Sequence, residues 1–304
     1  MADRAAASRT SLRQRAEQLA QPLPPLLVAA YRVANTVAQG VHGRRRVGAG
    51  ESFWQFRRYQ PGDAAQQIDW RQSAKSQKIF VREHEWEAAQ SIWLWRDASP
   101  SMDYRSSRGP AVKRERADLL LLALAALLIR GGERVALLGG GERPRTGRLA
   151  LGRLAARIVA EAEDAAPSLE SLPARERLPG HAQLVLIGDL LSPLDELEAL
   201  IKNYAGAGVF GHLLQIVDPA EEDLPFNGRI RFEGPEAEGG LTVGRVEALR
   251  PDYLELLADR RRRLTSLVHR IGWTIARHRT DRPPEMALLA LYQAISGAFG
   301  RLSS

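Results

Sequence analysis

Asp97, Ser99 and Ser101 stand at alternate positions in RDASPSM (Arg96–Met102), directly after the apolar run SIWLW. An acid and two hydroxyls at that spacing offer four kinds of chemistry. A serine hydrolase needs its nucleophile on a G-x-S-x-G elbow, and Ser99 is flanked by Ala98 and Pro100 with no histidine paired to an acid at motif level. An aspartyl-phosphate enzyme places a second acid two residues after the nucleophilic aspartate, where this chain has Ser99. A plain turn capping the next helix needs nothing more. A divalent-cation site fits the oxygen donors: magnesium takes oxygen ligands in octahedral array and keeps several waters. Asp97, Ser99 and Ser101 on an extended loop can converge on one ion, and Asp189, which ends the apolar run LVLIGD, supplies a second acid. With few protein charges around it, such an ion stays electrophilic and can accept a carboxylate from a partner protein.

The elements that must hold these residues follow from the hydrophobic pattern. After Gln90, short apolar runs alternate with amphipathic stretches. Strands are expected at SIWLW, RVALLG, AQLVLIGD, VFGHLLQIVD and WTIARH. Helices are expected over 112–132, 149–163, 192–208, 251–271 and 284–299, with Ser192 as an N-cap. Two shorter strands are expected near 229–233 and 241–246. Buried strands alternating with helices imply a mostly parallel, doubly wound sheet of the α/β class, covered on both faces. Ligands in such sheets bind at the carboxyl ends of the strands, where Asp97 and Asp189 stand.

The chain divides into an N-terminal arm and helix (1–44), a small β-rich segment (45–89) and the α/β domain (90–304). The helix expected over 24–41 carries Arg32 at its centre and reads as a surface or docking helix. GRRRVGAG is a basic linker, and QPGD is a turn signal. KIFVREHE alternates like a half-exposed strand. The net charge is +7, carried by 39 Arg against 4 Lys with acids interspersed, and Arg260–Arg263 read as a solvated helix face. With no recognisable nucleic-acid module, nucleic acid is not expected as a partner. There are no cysteines, which excludes disulfides, thiolate metal sites and cysteine nucleophiles. The longest apolar run, LLLLALAALLI, is too short to span a membrane, so a cytoplasmic protein is expected.

The D-x-S-x-S run after a buried strand, with a later strand ending in Asp, resembles the metal-ion-dependent adhesion site (MIDAS) of von Willebrand factor A (vWA) domains. The fold this implies is vWA-like and Rossmann-like, with the β-rich segment inserted ahead of it. The metal ligands it implies are Asp97, Ser99, Ser101 and Asp189. The family's usual additional threonine has one candidate here, Thr146 in RPRTGRLALG. The implied cofactor is Mg2+, with Mn2+ or Ca2+ as alternatives.

The segment FRRYQPGDAAQQIDWRQSAKSQKIFVREHEWE resembles the signature of the bacterial family called domain of unknown function 58. Its R-x-Y-x-x-G-D turn, I-D-W and S-A match Arg57 or Arg58, Tyr59, Gly62, Asp63, Ile68, Asp69, Trp70, Ser73 and Ala74. Arg58, Tyr59, Asp63 and Asp69 are the candidate partner-binding residues; alternatively, the segment is a hairpin covering a sheet edge. The resemblance implies a non-enzymatic, metal-dependent interaction module that acts as adaptor to a MoxR-type AAA+ ATPase and meets a partner carboxylate through the ion. A metal-dependent phosphoesterase and a scaffold with a non-functional metal site are the alternatives.

Overall fold

The computed structural model describes residues 25–41, 52–59, 68, 70–75, 78–85, 90–107, 109–163, 170–234 and 239–302. The expected N-terminal arm, the GRRRVGAG linker and the QPGD turn lie outside these residues.

The first helix, α1 (Pro25–Val41), buries Leu27, Ala30, Val33, Ala34 and Val37 and leaves Arg32 exposed. Spacings of three and four put the buried residues on one helical stripe. They join the main hydrophobic core, so the helix docks by this stripe and keeps Arg32 on its outer face. Each fully buried leucine or valine contributes roughly 1.5–3 kcal/mol, so Leu27, Val33 and Val37 do most to hold the helix in place.

Strands β1 (Ser52–Arg58) and β2 (Phe80–Glu85) pair antiparallel around a bulge at Phe53/Gln55 and bracket a one-turn helix, α2 (Trp70–Ser73). This is the expected small β-rich unit.

The main sheet contains β3 (Ser91–Arg96), β4 (Arg134–Leu137), β5 (Gln183–Gly188), β6 (Phe210–Val217) and β9 (Thr274–Arg279). Every pairing is parallel, in the order β4-β3-β5-β6-β9. β5 is buried along its whole length, as a central parallel strand must be. The crossover helices are α3 (Lys113–Arg130), α4 (Arg148–Glu163), α5 (Leu194–Gly206) and α7 (Val246–Arg270). A short helix, α6 (Pro219–Asp223), follows β6; β7 (Ile230–Glu233) and β8 (Gly240–Val243) form a separate hairpin; α8 (Pro284–Leu302) follows β9.

Two cores sandwich the sheet. One joins α1, α3, α4 and α8; the other joins α5, α7 and Trp273. α3 is buried nearly all round, which explains why its leucine run shows so little amphipathicity. Among the described residues no helix is long and apolar enough to cross a membrane.

Chain order reverses at β3, which sends its crossover first to β4 on one side and then to β5 on the other. That reversal is the topological switch point, where α/β sheets open a crevice at the strands' carboxyl ends. Asp97 and Asp189 follow the two strands that flank it.

Candidate functional site

The ladder between β3 and β5 runs one residue past β3, with the Asp97 amide donating to the Ile187 carbonyl at 2.8 Å. Asp97 then turns back on its own loop: its Oδ1 accepts the Ser99 amide at 2.8 Å. Pro100 starts a 3-10 turn (Pro100–Asp103), which lifts Ser101 toward the crevice. Gly188 makes room for this loop, since a Cβ there would lie 2.8 Å from the Asp97 Cβ. Ser99 Oγ and Ser101 Oγ lie 3.1 Å apart, and Ser101 Oγ donates to Asp189 Oδ2 at 2.8 Å. Asp189 Oδ1 accepts the Leu191 amide at 3.1 Å, and its carbonyl accepts Gln215 Nε2 at 2.9 Å. Leu190 between them has φ of 56°, a left-handed conformation that a leucine adopts only under constraint.

A lysine completes the group. Lys113 Nζ donates to Asp189 Oδ2 at 3.0 Å and to Glu221 Oε1 at 2.5 Å. Its side chain is wholly buried. The Tyr104 ring lies 5.9 Å from Nζ, on the edge of cation–π range. Burial alone pulls the Lys113 pKa down, but Asp189 and Glu221 outweigh it and hold the ammonium above the ordinary lysine value. Glu221 is aimed by a capping box on α6: its Oε2 accepts the Asp218 amide at 2.8 Å, while Asp218 Oδ1 accepts the Ala220 amide at 2.8 Å. Asp218 Oδ2 also takes the Ser106 amide at 3.0 Å, tying α6 to the loop after β3.

Of the sequence-derived ligands, the structure brings Ser99, Ser101 and Asp189 into one hydrogen-bonded chain, anchored by Asp97 through the Ser99 amide. It does not bring Thr146 there. Arg145 bridges Val135 at the start of β4, and Val135 is in register with Ile92. Ile92 lies five residues before Asp97, roughly 16 Å along a strand. Thr146, exposed beside Arg145, therefore belongs toward the sheet's amino end. Arg58 and Tyr59 close β1, both exposed; Asp63 and Asp69 lie outside the described residues. Ser192 caps no helix, because α5 begins after Pro193; its Oγ donates to the Ser171 carbonyl at 3.2 Å instead.

Lys113 and Glu221 were not singled out from the sequence as site residues. Their signals were present: one of only four lysines in an arginine-rich chain, and the D-x-x-E spacing of Asp218 and Glu221 that marks a capping box.

The sequence of the family described as "Protein of unknown function DUF58" matches residues 55–263, more than half of the 304-residue chain. The chain belongs to the DUF58 family. This DUF58 chain is 28% identical over 281 residues to the uncharacterized protein Rv1480 of Mycobacterium tuberculosis, covering 87% of this chain and 86% of that one. The same figures hold for the uncharacterized protein Mb1516 of Mycobacterium bovis. Among solved structures, BatB from Bacteroides thetaiotaomicron matches at 15% identity and a TM-score of 0.35, covering 69% of this chain and 98% of that one. An aerotolerance-related membrane protein from Bacteroides fragilis matches at 16% identity and a TM-score of 0.36, covering 69% and 100%. At those scores the two likenesses carry no argument.

Beside the DUF58 site lies a cavity of about 550 Å³. Asp189, Glu221 and Ser101 face it, and Tyr104, Leu191, Leu224, Phe226, Phe232 and Tyr253 supply most of its wall. Phe226 and Phe232 meet edge to face at 5.8 Å. The Tyr104 phenol is pushed up by burial and by Asp218 and Glu221, and the Tyr253 phenol by burial and Glu221. Arg260, from the four-arginine run, donates to the carbonyls of Leu190 and Ser192 and braces the rim; Arg261 pairs with Glu222 at 2.9 Å, and only Arg262 makes the expected helix-surface pair, with Asp259.

Proposed function

We propose that this protein is a non-enzymatic interaction module that docks a protein partner in the cavity at the carboxyl end of its sheet. The observation that carries this reading is the saturation of the site's reactive groups beside an open apolar wall. Ser101 donates to Asp189 Oδ2, the same oxygen receives the Lys113 ammonium, and that ammonium holds its proton and cannot serve as a base. No histidine lines the cavity. The one carboxylate that could act as base on Ser101, Asp189, is shared with the Lys113 ammonium, and a site that binds without transforming fits this arrangement better than the phosphoesterase alternative.

The resemblance to vWA domains suggested a partner carboxylate captured through Mg2+. The donor set does not fit that ion. Of the expected ligands, Asp189 already has both oxygens engaged, Oδ1 by the Leu191 amide and Oδ2 by Ser101 and the Lys113 ammonium, and Asp97 Oδ1 accepts the Ser99 amide. The wall favours an apolar or basic partner side chain, since both charged residues that line it are carboxylates. The partner class is a MoxR-type AAA+ ATPase, as the family resemblance implies.

The test is direct binding between the purified chain and the purified MoxR-type ATPase of the same cell. Leu191 is 48% exposed at the cavity mouth. Leu191→Asp is expected to weaken binding by about tenfold or more, the loss typical of a central interface residue. Unchanged affinity would move the interface elsewhere. Metal-dependent turnover of a generic phosphoester that disappears in Asp97→Ala would overturn the non-enzymatic reading.

A further inference from the structure

The Lys113 ammonium is bonded to Asp189, the acid that a divalent ion held by Asp97, Ser99, Ser101 and Asp189 would have to share. Asp189 Oδ2 faces the crevice, and it already receives two donors, Ser101 Oγ at 2.8 Å and Lys113 Nζ at 3.0 Å. The second acid, Glu221, receives the same ammonium at 2.5 Å. A magnesium ion held by Asp97, Ser99, Ser101 and Asp189 needs oxygens at about 2.0–2.1 Å in octahedral array, and the other Asp189 oxygen, Oδ1, already accepts the Leu191 amide at 3.1 Å. The ion also needs the serine oxygens as lone-pair donors, with their protons turned away. Here the Ser101 proton lies on the line to the carboxylate. A divalent ion placed against Asp189 would share its carboxylate with a like charge only one contact away. Lys113 has no alternative seat: it is wholly buried in the first turn of α3, covered by the Tyr104 ring.

We infer that Lys113 is the resident cation of this site, a covalently tethered substitute for the divalent ion, and that the rim is built and held without metal. The ammonium does the structural part of an ion's work. It gathers a carboxylate from the tip of β5 and another from α6, and so fixes two cavity walls to the start of α3. A lysine suits this seat better than an arginine, because a compact point charge with three donors fits between two convergent carboxylates where a planar fork does not.

The inference stands apart from the docking reading, because ion uptake and partner binding are measured separately. The decisive measurement uses the full wild-type chain with Mn2+ or Mg2+ at roughly millimolar concentration, the range in which weak oxygen sites fill. No saturable uptake is expected beyond that of Asp189→Asn, and no change in Tm with either ion or with a chelator. Stoichiometric uptake by the wild type that Asp189→Asn abolishes overturns the inference.

Lys113→Met supplies the converse. It leaves the buried Asp189 and the half-buried Glu221 without their counter-charge, and Tm is expected to fall by roughly ten degrees. Mn2+ is expected to restore part of that loss in the variant while leaving the wild type unmoved. A variant as stable as the wild type would show that the ammonium holds nothing together. Should Lys113→Met fail to fold, Lys113→Met/Glu221→Gln removes one charge of each sign; it is expected to fold and to bind no ion, and the wild-type uptake measurement still decides the question.

Discussion

Arg96 and Asp97 are neighbours in the chain, yet their side chains serve opposite sides of the sheet's end. Asp97 folds onto the loop at the rim, while Arg96 runs back to α3, where its Nε pairs with Asp118 and its NH2 lies 3.2 Å from Glu161 on α4. A cation directly before a presumed metal ligand is unexpected; the direction of its side chain removes the conflict. Both members of the Arg96–Asp118 pair are almost fully buried.

Breaking a buried pair from one side leaves the other charge stranded. Arg96→Met is therefore expected to cost about 3–5 kcal/mol in urea unfolding at pH 7. Arg96→Met/Asp118→Leu is expected to recover most of that loss, because an apolar pair of similar volume needs no counter-charge. Failure of the double variant to recover would place the cost in packing rather than charge.

His278 gives the fold a pH dependence of known sign. Its Nε2 lies 3.2 Å from Arg116 NH1, and since a guanidinium only donates, Nε2 must be the unprotonated acceptor. Burial, then the Arg116 charge, lowers its pKa from 6.5 to about 4. Between those values the unfolded chain takes up a proton that the folded chain refuses. The stability from this group is whole above pH 6.5 and is lost as pH falls toward 4, by about 3 kcal/mol at most. Asp118, which burial raises to about 6, has the opposite slope in nearly the same window. The difference between wild type and His278→Gln cancels that second slope; the difference should shrink steadily below pH 6.5, and a flat difference would remove His278 as its source.

Gly188 is the third test. Its missing side chain is what lets Asp97 close over β5, and a methyl group there meets the Asp97 Cβ at 2.8 Å. Gly188→Ala is expected to cost about 1–3 kcal/mol, the usual penalty of overpacking. It should also weaken partner binding, because the Asp97 loop carries Ser101 into the cavity wall. A stable variant with full binding would show that the loop shifts freely.

Sequence alone carried the reader to the rim but not to what fills it. β3 and β5 were legible because a central parallel strand needs an unbroken apolar run, and the acids ending SIWLW and LVLIGD could not stay inside the sheet. Ser99 and Ser101 followed from their alternation. Lys113 was not legible in the same way, because a lysine opening a helix reads as solvated until the fold shows Glu221 arriving from more than a hundred residues away. Thr146 misled because its loop leaves the carboxyl end of β4 and then doubles back along that strand, a path no local pattern announces. α1 was legible as a docking helix from Arg32, which sits on the outer face while Leu27, Ala30, Val33, Ala34 and Val37 are buried, but the core it joins was not.

The doubling back at Arg145 has a consequence for assembly. Arg145 and Val135 exchange both backbone hydrogen bonds, at 2.8 and 2.9 Å, on the outer edge of β4. A bare edge strand is a template on which another chain can extend the sheet. Here the chain supplies its own short splint at that position, so strand-by-strand growth is blocked there and contact with other molecules is steered to the loops above the sheet.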